Sequence, residues 1–262
     1  MYLIDTHAHI SHFPLPNQKG VMERARKANV KKLINVACDL DQIVPHLTLA
    51  KTDENIWSTA GIHPTSLNDD LEGSMKMIYD YAKNEPKIVA IGEIGLDYYH
   101  DKFAREMQDE WLTRQLAIAT ELNLPAIIHC RAGKNPGENE AAFLDLIKIL
   151  EREKFNNGVI HCFSGNKIEA EKLLDLGLML SFTGVLTYHS NESLREVVAQ
   201  TPLDRIMLET DCPYLTIEGK RGQAGEPAFM NEIAKCVAQV KGLQVDEVIE
   251  QIRMNTEKFF GI

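Results

Sequence analysis

Histidine and acidic side chains that could bind metal ions occur directly after short apolar runs of the chain. His7 and His9 lie two residues apart, so both imidazoles face the same way if the strand stays extended, and both can bind one ion. Glu93 lies between an apolar run and glycines, where an unpaired buried carboxylate would be costly, so a cation partner is expected. The other candidates follow apolar runs in the same way: His63, His129, His161 and Asp211.

These residue types indicate a class of reaction. Imidazoles mixed with carboxylates, and no thiolate in the set, suit Mg²⁺, Mn²⁺ or Zn²⁺. A central carboxylate such as Glu93 can bridge two ions roughly 3.5–4 Å apart, an arrangement used on phosphate esters. Such ions acidify a bound water and neutralise charge on phosphoryl oxygens, and an aspartate beside the water can take its proton. The set therefore predicts metal-dependent hydrolysis.

Each candidate alone also has an explanation without a metal. His129 and His161 are typical of hydrogen-bonded residues at the mouth of a barrel, and Asp211 is typical of a turn before Pro213. Without a metal, the occurrence of several polar groups at the same end of the strands would have no single explanation, so metal binding is favoured. Other side chains are interpreted structurally. We expect a solvated surface position for His12, His46, His100 and His189, and outward packing for Cys130 and Cys162.

Alternating elements position these candidates. Most of the short runs are apolar at successive positions, as strands buried on both faces are. About eight strand-then-helix units in this length predict an α/β fold, a (β/α)₈ TIM barrel forming a single domain over residues 1–262. A doubly wound sheet competes, but residues 5–9 after the first strand lack the glycines of a phosphate loop. Predicted strands cover 2–5, 32–37, 56–61, 88–92, 125–129, 158–162, 178–182 and 205–209; predicted helices cover 20–29, 71–83, 103–122, 138–154, 166–176, 228–241 and 245–254.

Composition excludes several classes of protein. Among 262 residues, 28 Lys and Arg against 38 Asp and Glu give a formal charge of −10, which argues against a protein that coats duplex nucleic acid. A small nucleic-acid substrate stays compatible, because bound metals can reverse the local field. The five cysteines include no CxxC pair, and no apolar run has the length of a membrane span. We expect a cytoplasmic protein.

Six segments together resemble, in order, the signatures of TatD-family metal-dependent deoxyribonucleases. They are the His7-x-His9 pair and the segments 61–64, 92–98, 129–131, 161–165 and 209–215. The resemblance covers nearly the whole chain and ends with Asn255 and Phe259 in a family-like terminal helix. It implies a barrel hydrolase with one to three divalent ions, of which we expect two per chain.

The resemblance also implies roles for individual residues. His7, His9, Glu93 and Asp211 would hold the first ion, and Glu93 would bridge to a second ion held by His129 and His161. Asp211 would also orient or deprotonate the attacking water. His63 and Arg131 would touch the substrate phosphate or its leaving side, and Glu209 would support the ligands or bind an additional ion. The implied activity is phosphodiester hydrolysis at nucleic-acid ends, with removal of nucleotides from the 3′ end of DNA.

Two segments depart from the family pattern. Ala132 stands where an acidic residue is usual, and residues 133–139 form an altered loop. Residues 221–227 keep the frame of a basic family loop but lose charged contacts, so we expect a weaker hold on a long strand. Lys220 and Arg221 are the remaining strand contacts predicted there.

Two other hypotheses stay open. The same kind of site could hydrolyse another bond, such as an amide or the ester of a D-aminoacyl-tRNA, because an activated water also attacks a carbonyl. A non-catalytic protein on a retired enzyme scaffold is the other, although nothing would then require the full ligand set. We expect nucleic-acid ends as the partner, DNA above all, with no membrane, no obligate protein partner and a monomeric chain.

Overall fold

The computed structural model describes residues 1–134 and 141–262. Eight strands form one parallel sheet, and their order in the sheet is their order in the chain. They are β1 (Leu3–Ala8), β2 (Val30–Asn35), β3 (Ile56–Ala60), β4 (Ile88–Asp97), β5 (Ala126–Arg131), β6 (Gly158–Ile160), β7 (Met179–Phe182) and β8 (Ile206–Leu208). Each predicted strand overlaps one of these, but β4 runs to Asp97 instead of ending at Gly92.

The sheet closes where the first and last strands meet. The backbone N–H of Asp211 donates to the carbonyl of His7 at 2.9 Å, and the N–H of His9 donates to the carbonyl of Cys212 at 2.8 Å. These bonds join the last residues of β1 and the residue after it to the segment that follows β8, so they also fix two of the candidate ligand segments against each other. The predicted (β/α)₈ barrel is confirmed.

Helices alternate with the strands. They are α1 (Leu15–Lys27), α2 (Leu40–Thr52), α3 (Leu71–Asn84), α4 (Arg105–Leu122), α5 (Ala141–Glu153), α6 (Lys167–Asp175), α7 (Glu192–Gln200), α8 (Met230–Lys241) and α9 (Val245–Phe260). The predicted start of a helix at residue 138, and most of the altered loop 133–139, lie outside the described residues. Sequence analysis did not predict α2 or α7. In α2, Pro45 breaks the usual helical pattern, while Asp39 caps the first turn by accepting from the N–H of Gln42 at 3.0 Å.

The core separates into layers on the two faces of the sheet. In β5, neighbouring residues belong to different clusters, as the alternation of strand side chains requires. Ile127 packs in a cluster of strand residues, whereas Ile128 packs in the larger cluster that includes the helices. The first cluster fills the barrel interior and includes Ile34, Val89, Ile127, Val159, Met179 and Met207. Within the described ranges, no helix has both the length and the apolar character needed to cross a membrane.

Candidate metal centre

Six of the predicted ligand residues meet at the carboxyl end of the barrel. β1 carries His7 and is followed by His9, β4 carries Glu93, and Asp211 lies three residues beyond β8. The Nε2 atoms of His7 and His9 lie 3.1 Å apart, as expected for an extended pair on one face. His7 Nε2 lies 3.3 Å from Glu93 Oε2, and His9 Nε2 lies 3.3 Å from Asp211 Oδ1. Four ligand atoms from three strands thus surround one point.

A second group shares the same glutamate. His129, in β5, places its Nδ1 2.9 Å from Glu93 Oε1, and His161, directly after β6, places its Nε2 3.8 Å from the same oxygen. Glu93 Oε1 therefore faces His129 and His161, while Glu93 Oε2 faces His7 and His9. A carboxylate with a different histidine pair at each oxygen has the arrangement of a bridging ligand.

Hydrogen bonds on the far side of the rings determine which nitrogens carry protons. His9 Nδ1 lies 2.8 Å from the carbonyl of Val36, which can only accept, so His9 Nδ1 is protonated and Nε2 faces the carboxylates. His129 Nε2 donates to Asp97 at 3.2 Å and leaves Nδ1 toward Glu93. His161 Nδ1 lies 2.7 Å from Glu209, although at an angle outside regular hydrogen-bond geometry. These partners orient the rings as outer-shell groups orient metal ligands.

The electrostatics of the cluster favour positive charge at its centre. Burial raises the pKa of Glu93, but the imidazoles of His63, His7 and His161 outweigh burial and hold that pKa well below its usual range. Burial lowers the pKa of His9, yet its hydrogen bond to Asp211 raises that pKa to about 9. Ligands that bind an ion at about 2.0–2.2 Å lie about 3–4 Å from one another, which matches the separations of this cluster. The residues therefore fit divalent ions.

His63 differs from the other histidines at the site. Its Nδ1 accepts from the backbone N–H of Thr65 at 3.1 Å, so the proton of the neutral ring is on Nε2, which points toward Glu93 Oε1 at 3.5 Å. Burial, followed by the charge of His129, lowers the pKa of His63 to about 3. This side chain presents an N–H donor to the site instead of a bare nitrogen.

Comparisons with known proteins identify the family of this chain. The sequence profile of the TatD related DNases matches residues 4–261. The chain belongs to the TatD family. It is 33% identical over 263 residues to the uncharacterized metal-dependent hydrolase YabD of Bacillus subtilis, with 99% of each chain covered. It is 34% identical over 247 residues to the 3′-5′ ssDNA/RNA exonuclease TatD of Klebsiella pneumoniae, covering 92% of this chain and 91% of the relative.

A solved structure supports the same conclusion. The TatD homologue YjjV of Escherichia coli superposes with a TM-score of 0.90 at 28% identity, covering 99% of this chain and 98% of the other. The TatD-family chain is thus a metal-dependent hydrolase by family, with its imidazoles and carboxylates arranged as candidate ion-binding groups.

Two residues without a predicted role support this TatD-family centre. Asp97 Oδ2 accepts from His129 Nε2 and lies 2.8 Å from Nδ1 of His100. Cys38, in the loop after β2, places its thiol 3.5 Å from Glu93 Oε2. No thiolate was expected in the ligand set, and burial raises the pKa of Cys38 well above its usual range, so the group beside Glu93 is a neutral thiol. Asp97 stands in the family-like segment 92–98, which was the available signal, whereas nothing in the local sequence marks Cys38.

The centre lies in an open cavity of about 640 Å³. His63 and Arg131 line the cavity, and the Arg131 guanidinium stacks on the ring of Tyr99 at 4.0 Å. The other two predicted substrate contacts do not line it. Lys220 stacks on Phe229, and Arg221 stacks on Tyr188.

The remaining histidines and cysteines divide between cavity, core and surface. His189 is exposed as predicted. His100 is also exposed as predicted, and it lines the cavity together with the half-buried His12. His46 is fully buried on α2, so the prediction of a solvated His46 is wrong. The reason is that α2 was not predicted and packs His46 inward. Cys130 is buried in the larger cluster that includes the helices, as predicted, although it also borders the cavity. Cys162 is half-buried and lines the cavity instead of packing outward.

Proposed function

We propose that this TatD-family chain hydrolyses phosphodiester bonds at nucleic-acid ends, and single-stranded DNA at its 3′ end above all. The observation that carries the proposal is the position of Glu93, whose two oxygens face different histidine groups at 3.3 Å and 2.9 Å. A pair of ions bridged by one carboxylate suits in-line displacement at phosphorus, because both the attacking and the leaving oxygen require charge stabilisation.

In this proposal the chain would hold two divalent ions. His7, His9, Glu93 and Asp211 hold the first in this proposal. Glu93, His129 and His161 hold the second. Mg²⁺, Mn²⁺ and Zn²⁺ are the ions that this mixture of oxygen and nitrogen ligands accepts. When bound, the ions neutralise charge on phosphoryl oxygens and make a nearby water more acidic.

Protein side chains provide the other functions. The Asp211 side chain is 15% exposed and lines the cavity, so it can accept the proton of an attacking water. The Nε2–H of His63 is a neutral donor for an oxygen of the substrate, on the phosphate or on its leaving group. Arg131 offers a planar set of donors that matches phosphate geometry.

The net charge favours a strand end over a duplex. A net charge of −10 gives no general attraction for nucleic acid, so affinity must come from the metal centre and the few cations beside it. The relative from Klebsiella pneumoniae is named as a 3′-5′ exonuclease of single-stranded DNA and RNA, which supports the same class of substrate. Because one chain contributes every residue of the centre, the proposal is for a monomeric enzyme that needs no protein partner, and the cytoplasm is its proposed location.

A cleavage assay tests this proposal. Single-stranded DNA labelled at either end, duplex DNA, RNA and D-aminoacyl-tRNA are incubated with chelator-treated protein to which Mg²⁺, Mn²⁺ or Zn²⁺ is returned. We expect metal-dependent release of nucleotides from the 3′ end of single-stranded DNA, with no activity in Glu93→Ala. Deacylation of the aminoacyl-tRNA without cleavage of any strand would instead establish the ester hydrolase.

A further inference from the structure

Tyr214 is an exposed aromatic residue inside the cavity. Its side chain is 64% exposed although it lines the same cavity as the metal centre. It follows Asp211 by three residues, so a proposed metal ligand and this ring lie on one short segment after β8. The Tyr214 ring is therefore accessible to a ligand that enters the cavity.

Contacts with two histidines hold the Tyr214 ring in place. Its hydroxyl lies 2.8 Å from His12 Nδ1, and its ring centroid lies 5.5 Å from that of His9 and 5.7 Å from that of His12. The His12 ring is itself parallel to the His9 ring, with centroids 4.9 Å apart. Tyr214 and His12 thus form an aromatic wall that extends from a metal ligand toward solvent.

The opposite wall is basic. Arg131 ends β5 and Tyr99 follows β4, which lie across the barrel from β1 and β8. The guanidinium of Arg131 lies 4.0 Å from the Tyr99 ring centroid, and Lys134 Nζ lies 4.7 Å from the same centroid. Within residues 1–134 and 141–262, neither cation has a carboxylate within ion-pair distance. The metal centre therefore lies between an aromatic wall and a cationic wall.

We infer that Tyr214, supported by His12, is a stacking subsite for the base of the nucleotide whose phosphodiester bond lies at the metal centre. Arg131 and Lys134 then face the adjoining phosphate on the other side. This inference rests on the proposed function and adds to it a requirement for an unpaired base. Stacking uses the π-face that every base has, so the subsite accepts all four bases and rejects a strand end that lacks one.

Equilibrium binding to strands with and without terminal bases tests the subsite. Both are fluorescent single-stranded DNAs whose two terminal linkages are non-cleavable methylenephosphonates; in one strand both terminal nucleotides are abasic. Fluorescence anisotropy with the metal-loaded protein gives Kd for each. We expect the base-bearing strand to bind about tenfold more tightly, a preference of the size that one base–aromatic stack provides. Tyr214→Ala should remove the preference, and Tyr214→Phe should keep it.

Two further variants separate the subsite from general effects. Tyr79 on α3 hydrogen bonds to Glu121 and does not line the cavity, so Tyr79→Ala should keep the preference. Arg131→Ala should weaken binding of both strands equally. An equal Kd for the two strands in the unmodified protein, or a preference that persists in Tyr214→Ala, overturns the subsite. Failure of the unmodified protein to cleave ordinary strands contradicts the proposed function instead. The cleavage assay therefore tests the proposed function, and the binding measurement tests the subsite.

Discussion

Glu93 and His129 face each other across neighbouring strands, with Glu93 Oε1 2.9 Å from His129 Nδ1. Because Glu93 Oε2 faces His7, removal of the Glu93 charge weakens both candidate ion sites at once. We predict that Glu93→Gln lowers the number of ions bound per chain and reduces hydrolysis by more than about a hundredfold. Elemental analysis of the protein after gel filtration, together with the cleavage assay, measures both effects.

His161→Gln provides the comparison for this prediction. It removes a ligand from only one group, so it should lower the ion content by one site and leave the His7–His9 pair able to bind. Circular dichroism verifies that both variants fold. Equal ion content in Glu93→Gln and in the unmodified protein would rule out the bridging position.

The same sequence pattern predicts both the barrel and the positions of the ligands. Strands buried on both faces are visible as continuous apolar runs, and a polar residue that follows such a run is conspicuous. His7, Glu93 and Asp211 were found in this way. Residues whose position depends on tertiary packing were not found. Asp97 lies five residues beyond the predicted strand end at Gly92. Only the pairing with β5 shows that β4 continues to Asp97.

Local sequence patterns also do not predict how α2 and the surface loops pack. Pro45 interrupts the helical pattern of α2, so the sequence does not predict the helix that buries His46. No sequence pattern predicts the loop that brings Cys38 to Glu93. Lys220 and Arg221 were predicted as strand contacts from the resemblance of their segment to a basic family loop, whereas their stacking on Phe229 and Tyr188 depends on the conformation of the loop.

Asp97 provides a test of ligand orientation. Its carboxylate accepts from His129 Nε2 and thereby keeps the lone pair of His129 Nδ1 toward Glu93. We predict that Asp97→Asn lowers metal affinity or activity by about 10- to 100-fold, as loss of an outer-shell partner does. Isothermal titration with Mn²⁺ measures the affinity. His100→Gln, which removes the exposed partner of Asp97, is the control and should have a much smaller effect; equal losses in the two variants would contradict the orienting role.

His63 should contribute to turnover and not to ion binding. Its Nδ1 is occupied by the N–H of Thr65, so its inward nitrogen carries a proton and cannot bind a metal while neutral. We predict that His63→Ala reduces kcat by about 10²- to 10³-fold, a loss typical of one donor to a developing negative charge, with no change in ion content. Parallel kinetic and elemental measurements test this pair of outcomes. A fall in ion content would instead identify His63 as a ligand.

We expect Arg131 to contribute more to strand binding than Lys220 and Arg221 do. Arg131 lines the cavity, whereas Lys220 and Arg221 do not. We predict that Arg131→Ala raises KM for single-stranded DNA about tenfold, since a hydrogen bond to a charged group is lost. The double variant Lys220→Ala/Arg221→Ala should change KM by less than about threefold, the effect of exposed charges. The reverse order of effects would restore the strand contacts predicted from the sequence alone.

His46 links acid sensitivity to the packing of α2. Burial, with smaller contributions from the charges of His9 and His12, lowers the pKa of His46 to about 3. The unfolded chain takes up a proton at His46 below its ordinary pKa of about 6.5 while the folded chain does not, so this stability is complete above that pH and is lost as pH falls toward 3. At pH 5 the loss is about 2 kcal/mol.

When the pH is lowered from 7.5 to 5, the free energy of unfolding falls in both proteins. We therefore predict that this fall is about 2 kcal/mol smaller in His46→Leu than in the unmodified protein. Urea unfolding of chelator-treated protein at both pH values gives these energies without a contribution from metal binding. Leu47→Met, at the neighbouring buried position, is the matched control, because it alters packing of α2 without removing a titratable group. An identical pH dependence in His46→Leu and the unmodified protein would show that a neutral buried His46 is not what makes the fold sensitive to acid.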